Sequence, residues 1–305
     1  LTCSTLCGNC PYTLYGGASC NCAPPSWSGD CLTQQIEPGD ETTAQADWFD
    51  KTDTFFYPRR AYLFERKVNA PITTEDGTMI ASALYTLSEG TLKMTAIFPP
   101  LHPTESRSAT LVVPGVGSTG CTIQEATWHC LFRMDNFPMG SAHTYEIQYQ
   151  PDAAQTSLVF TLGGAIPLQS GVPKVAALGC FGADDVADKS DFVTAVLAED
   201  PDLIVLQGDQ TYFHQQLLYG FFELTYSLRD ILKDRPTIVQ MDDHDYGAGN
   251  LWGAERAGED SGVGFPKPPC IVNMAQDQAM GHLPDPVSNN DLQNGITVHY
   301  TNYVW

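Results

Sequence analysis

The chain has 305 residues, 43% of them hydrophobic and 10% aromatic, which excludes global disorder and leaves room for two ordinary domains. Its 15 Lys+Arg against 36 Asp+Glu give a net charge of −21, a surface that repels phosphate backbones and anionic lipids and so argues against nucleic-acid binding or a polybasic membrane anchor. No apolar run approaches the ~18 residues of a membrane span.

Residues 1–56 read as a cysteine-rich cap followed by an acidic tether. Cys3, Cys7, Cys10, Cys20, Cys22 and Cys31 crowd a segment without His, Lys or Arg. Six Cys so close together read as a disulfide knot, although Cys7-Gly-Asn-Cys10 also has the C-x-x-C spacing of a zinc module. The chain starts at Leu1 with no basic stretch leading into an apolar one, as expected of a mature secreted protein. No N-x-[ST] sequon occurs. Glu37, Asp40, Glu41 and Asp47 mark the tether; Trp48, Phe49, Phe55, Phe56 and Tyr57 either fix it to a domain surface or form an intersubunit contact.

Residues 57–168 read as all-β. Leu92, Met94, Ala96 and Phe98 alternate on one face, as do Tyr145, Ile147 and Tyr149, and Leu158, Phe160 and Leu162. Ala61–Val68, Met79–Leu87 and Thr110–Val113 supply further strands. Together they suggest an immunoglobulin- or fibronectin-like sandwich. The spacing of Cys121 and Cys130 suits a disulfide closing a loop. Gly115-Val-Gly-Ser-Thr-Gly120 matches G-x-G-x-x-G, but no helix pattern follows it, so it reads as a turn.

From 169 the pattern changes to strand–helix–strand–helix–strand, the signature of an α/β layered domain. Lys174–Leu178 reads as a buried parallel strand, and Asp188 as the cap of a helix with Phe192, Val193, Val196 and Leu197 on one face. Asp202–Leu206 is a second strand. Tyr212 to Asp234 is a long helix with Leu217, Phe221, Leu224, Leu228 and Ile231 at helical spacing; the stripe Tyr212, Tyr219, Phe222, Tyr226 reads as packing. Pro236–Gln240 is a third strand. Thr297–Trp305 reads as a terminal strand, with Val298–Val304 open to pairing with a neighbouring chain. The whole is a multidomain α+β chain.

Ligands of such domains sit at the carboxyl ends of the parallel strands. Beyond the first lies Cys180, beyond the second Asp209 and Tyr212, and beyond the third Asp242, Asp243 and His244, then Asn250. Thiol, carboxylate, phenol, imidazole and amide on one rim are metal-ligand types, and a cation relieves the repulsion among the carboxylates. Each piece also has a plain reading: Gly-Asp as a turn, Cys180 as an inert thiol or the partner of Cys270, Tyr212 as core, His244 as a structural His, the Asp-rich run as a solvated loop.

Leu178-Gly-Cys180, Pro201-Asp-Leu-Ile-Val-Leu-Gln-Gly-Asp-Gln-Thr-Tyr212 and Met241-Asp-Asp-His-Asp-Tyr-Gly-Ala-Gly-Asn250 resemble the alkaline phosphatase D-like (PhoD-like) metallophosphatases of the calcineurin-like superfamily, over residues 172–305. The resemblance implies a secreted phosphoester hydrolase whose metal-activated hydroxide attacks a phosphate mono- or diester. It implies two ions, iron-type and calcium: Asp209 bridging, Cys180 and Tyr212 on the iron-type ion, Asp242 or Asp243 with Asn250 on the second, and His244 as the catalytic His beside the leaving group. The family's sheet continues past the equivalent of Trp305 with further Asp and His ligands, so residues 169–305 correspond to the first half of such a domain. His282 and His299 lie in no recognised motif. The expected partners are a small phosphate ester and either a second copy or a C-terminal chain. The rival readings are a catalytically incomplete extracellular structural or filament-forming protein on the same scaffold, and a zinc- or calcium-binding adhesion module.

Overall fold

The computed structural model describes residues 79–99, 101, 105–124, 127–151, 158–180, 189–212, 217–247, 249, 269–287, 296–297 and 299–305. The cysteine cap (Cys3, Cys7, Cys10, Cys20, Cys22, Cys31), the tether, the Ala61–Val68 strand, Asp188 and Asn250 lie outside the described residues. No helix among the described residues is long and apolar enough to cross a membrane.

Among the described residues the architecture is mixed α+β, with three sheets. β1 (Ser82–Ser88), β2 (Thr91–Ile97) and β5 (His129–Met134) form an antiparallel sheet in the order β1-β2-β5. β4 (Gly117–Thr122), β3 (Ser108–Val113), β6 (His143–Tyr149) and β7 (Phe160–Ile166) form a second antiparallel sheet in that order. Its strands alternate as their sequences do: Ala109, Leu111 and Val113 on β3, and Tyr145, Ile147 and Tyr149 on β6, are buried. Tyr85 of β1 meets Tyr145 of β6 edge to face at 6.2 Å. Cys121 on β4 and Cys130 on β5 are joined by a disulfide, so one covalent bond links the two sheets. The G-x-G-x-x-G stretch is a turn only at 114–116; from Gly117 it runs as edge strand β4 against β3.

β1 is buried along its whole length, because both faces of its sheet are covered. Ala83, Tyr85 and Leu87 share the face that meets the second sheet. Ser82, Thr86, Lys93, Thr95 and His129, brought side by side by the register Thr86↔Lys93 and Ile97↔His129, share the other face and are all buried polar groups. Three of them, Thr86, Lys93 and His129, bond to the C-terminal part of the chain. Thr86 Oγ1 donates to the His282 carbonyl, Lys93 Nζ lies 3.1 Å from Asp285, and His129 Nε2 lies 3.2 Å from Asp277 Oδ2. A buried Lys without a carboxylate would be costly, so Asp285 and Lys93 are bound to each other's placement.

The third sheet is parallel, in the order β10-β9-β8: β8 (Val175–Leu178), β9 (Leu203–Leu206), β10 (Thr237–Val239). Helices α1 (Ser190–Glu199), α2 (Leu217–Ser227), α3 (Arg229–Leu232) and α4 (Pro269–Met280) accompany it. One core of buried side chains runs from β1 and β2 through both antiparallel sheets to Ile204, Phe222, Leu228 and Met274.

Four expectations need correction. The strand at 174–178 is not buried: among the described residues β8 pairs only with β9, Val175 is 49% exposed, and no residue of α1 is buried. The residue at the N-cap of α1 is Lys189, without a side-chain cap bond. The long helix is two, parted at Leu228; Thr225 Oγ1 and Ser227 Oγ donate back to the carbonyls of Phe222 and Glu223, a pattern that bends helices. Among the described residues the C-terminal segment forms no strand, only isolated bridge residues at Thr297 and at Thr301, which pairs with Pro286. Its groups bond to separate elements instead: Thr301 Oγ1 to the Pro284 carbonyl, Val304 N to Ser88 Oγ, and Tyr303 OH accepting from Gln169. Helix α4 is an element the periodicity does not announce.

At Gly164 on β7 a Cβ would collide with the Lys233 carbonyl and lie 2.6 Å from Tyr145 OH, which itself donates to Lys233 O at 2.8 Å. Gly164→Ala is expected to lose about 1–3 kcal/mol in urea unfolding. His282 is fully buried, with Nε2 2.9 Å from the Thr237 carbonyl and Nδ1 without a partner, and burial drives its pKa from 6.5 down to about 3. A base whose folded pKa is depressed is neutral in the fold, so its stability contribution is whole above pH 6.5 and drains as pH falls toward 3. Roughly 2 kcal/mol is expected to go between pH 6.5 and 5. Urea titrations at both pH values should show a shallower loss in His282→Gln.

Candidate metal centre

β8, β9 and β10 run in one direction and end level: Leu178 pairs with Leu206, and Leu206 with Val239. The ladder carries on for one more bond, with Gln207 N donating to the Leu178 carbonyl and Gln240 N to the Leu206 carbonyl, both at 2.8 Å. Beyond that the backbone turns sharply. Cys180 has φ +52°, Gly208 +97° and Asp209 +53°. The left-handed region costs a residue with a Cβ on the order of 1 kcal/mol, and two non-glycine residues held there at adjacent strand tips mark a place where side-chain direction matters more than local comfort.

Asp209 is the hub. Its Oδ2 accepts from Tyr212 OH at 2.9 Å and lies 3.7 Å from Cys180 Sγ. Its Oδ1 is buried and has no hydrogen-bond partner. Ligand atoms of Asp209, Asp243 and His244 lie within 4.8 Å of one another. The His244 ring stacks on Tyr212, centroids 4.1 Å apart and tilted 36°. Gly249 passes close behind the imidazole: a Cβ there would come 2.8 Å from Cε1. His244 therefore stands within the carboxylate group rather than apart from it.

The two Asp residues of the Asp242-Asp243 pair are separated by the fold. Asp242 is the N-cap of a 3-10 helix over Asp243–Tyr246; its side chain accepts from Asp243 N. Asp243 is the one grouped with Asp209. Cys180 is an exposed free thiol, not paired with another sulfur. Gln210, Gly208 and Asp245 also shape the site, though only as unremarked members of the sequence motifs. Asp245 was legible in principle, as the third helical residue after a capping Asp.

Two carboxylates, an imidazole, a thiol and a phenol form a donor set that fits a cation, and the orphaned buried oxygen of Asp209 is the atom that most needs one. Without it the site favours protons on its weak acids. Tyr212 is pushed up to about 12, by desolvation first and then by Asp209. The Cys180 thiol is also raised, by desolvation and then by Asp209.

No family model and no curated protein sequence matches the chain. Among solved structures, a purple acid phosphatase from yellow lupin (Lupinus luteus) seeds is similar over 61% of this chain, with 11% identity and a TM-score of 0.41; the chain spans 40% of its length. A likeness of that size fixes neither fold nor function.

Gly208 is where the second and third loops touch. A Cβ there would sit 2.5 Å from Asp242 Cβ, at a φ that disfavours any side chain. Gly208→Ala is expected to cost about 1–3 kcal/mol in thermal unfolding and to weaken metal uptake in a calorimetric titration.

Proposed function

We propose that the chain carries the metal-dependent phosphoester hydrolase site of a secreted, PhoD-like protein. The observation that carries this reading is the gathering of Asp209, Asp243 and His244 at the ends of adjacent parallel strands, around a buried carboxylate oxygen with no partner. The motif resemblance points the same way. The Cys121–Cys130 disulfide and the six Cys before residue 32 suit an oxidising compartment outside the cell.

In this reading Asp209 and Asp243 hold the cations, with Cys180 and Tyr212 on the iron-type side and Asn250 on the calcium side. Bound there, the cations supply Lewis acidity toward a phosphoryl oxygen and lower the pKa of water. The chain's own residues do the rest. Tyr212 holds the imidazole plane by stacking, and Gly249 leaves the ring room to lie against the loop. His244 then holds a proton at a ring nitrogen for the departing alkoxide. The substrate is a phosphate mono- or diester, small enough to reach a rim that Cys180 leaves exposed.

The architectural reading has one observation of its own. Val172, Val175, Phe192 and Leu197, around β8 and α1, are exposed apolar side chains of the kind that support self-association.

Metal analysis of the native protein and hydrolysis of a chromogenic phosphodiester separate the two. Asp209→Ala is expected to release the metals and to lower turnover more than about 100-fold. Turnover and metal content unchanged by Asp209→Ala would remove the proposed site. Metal-free, inactive native protein would leave the architectural reading.

A further inference from the structure

We infer that Asp245 is the positioning residue that locks the two acidic loops into one centre. The inference rests on the metal-binding reading above. Asp245 is 3% exposed, while Asp243 and His244 on the same 3-10 turn stand at the site. Its two oxygens serve different loops. Oδ1 accepts from Thr211 N at 3.1 Å, one residue short of Tyr212 and two past Asp209. Oδ2 accepts from Asp242 N at 3.0 Å, at the start of the turn that carries Asp243 and His244. One carboxylate thus spans from the loop after β9 to the loop after β10.

These partners, and the Gln210 backbone that also bonds the carboxylate, are main-chain groups, so the carboxylate shapes backbone. Only an acceptor on both sides can do this. An Asn in the same place turns its NH2 toward one of the two donors and leaves that N–H buried and unpaired, at the cost of such a loss. Closer to the sheet, Gln210 Nε2 donates to the Gln240 carbonyl at 2.8 Å, a second tie between the same loops. Behind Asp245 lies a small cavity of about 10 Å³, lined by Gln210, Gln278, Leu217 and Phe221 among others, room for one water and no more. The side chain thus lines that cavity while it bonds both loops. It sets the spacing between Asp209 and Asp243, and a ligand pair held an ångström too loosely loses most of its affinity for a cation.

The test is a titration of the metal-free full chain with Co2+, read by thiolate-to-cobalt absorbance at a temperature well below melting. Asp245→Asn is expected to need at least tenfold more Co2+ than wild type for half the signal. A residue that merely stabilised the fold would lower the melting temperature and leave this affinity alone, so an unchanged half-point in folded Asp245→Asn overturns the inference. Asp209→Ala is the control for the underlying reading: absorbance that survives it shows that the metal site itself is misassigned. Should Asp245→Asn not fold, amide hydrogen exchange of wild type decides. Thr211 and Asp242 N–H slowed at least tenfold against an open loop support the clamp, and free exchange at Thr211 refutes it.

Discussion

The site depends on three strands pointing the same way and stopping at the same level. Neighbouring strands lie about 4.8 Å apart, so groups carried just past their ends arrive within reach of a shared cation only if the ends are in register. Leu178, Leu206 and Val239 supply that register. An antiparallel neighbour would send its carboxyl end to the opposite rim. A slip of one residue would turn each side chain to the other face of the sheet. The left-handed turns at Cys180, Gly208 and Asp209 then bend the chain across the rim. The cost of those turns is local, and β9 and β10, buried beneath the rim, supply stability that holds the turns after β9.

That packing does not divide neatly between an all-β half and an α/β half. β1 has the second sheet on one side and, through Thr86 and Ser88, the C-terminal segment on the other. Lys93 and Arg133 both reach Asp285. His282 touches β1 through its carbonyl and β10 through its ring. The outward face of the first sheet is polar because it meets these residues, not water. Removing them would expose Leu84 together with Ser82, Thr86 and Thr95, and would take from Thr86 and Lys93 their present partners.

Strands whose two faces meet different surroundings were legible, because alternation survives into burial: Tyr145, Ile147 and Tyr149 are the plain case. The three strand-tip motifs were legible for a different reason, since each combines a short apolar run with side chains that have no use in a core. What was not legible depended on neighbours. Lys174–Leu178 reads like a buried strand, but burial needs a covering layer, and α1 does not provide one. The apolar stripe from Leu217 to Ile231 is real, and all five of its residues are buried, yet the helix parts at Leu228, where local hydroxyls compete for carbonyls. Val298–Val304 has strand composition, yet among the described residues of this segment no strand forms. Helix α4 carries Gln276 and Gln278 on buried positions, so its polar groups hide the periodicity that would have announced it.

The Asp242-Asp243-His244-Asp245 run shows why composition alone could not apportion roles. In a 3-10 turn, residues three apart lie above one another. Asp242 and Asp245 therefore face each other and exchange cap bonds, which turns Asp245 inward toward Thr211. The two residues between them, Asp243 and His244, are left to point elsewhere, and they bring ligand atoms to within 4.8 Å of one of Asp209. The geometry of one tight turn thus makes two chemically alike carboxylates into a cap and a clamp, and leaves the third beside the imidazole.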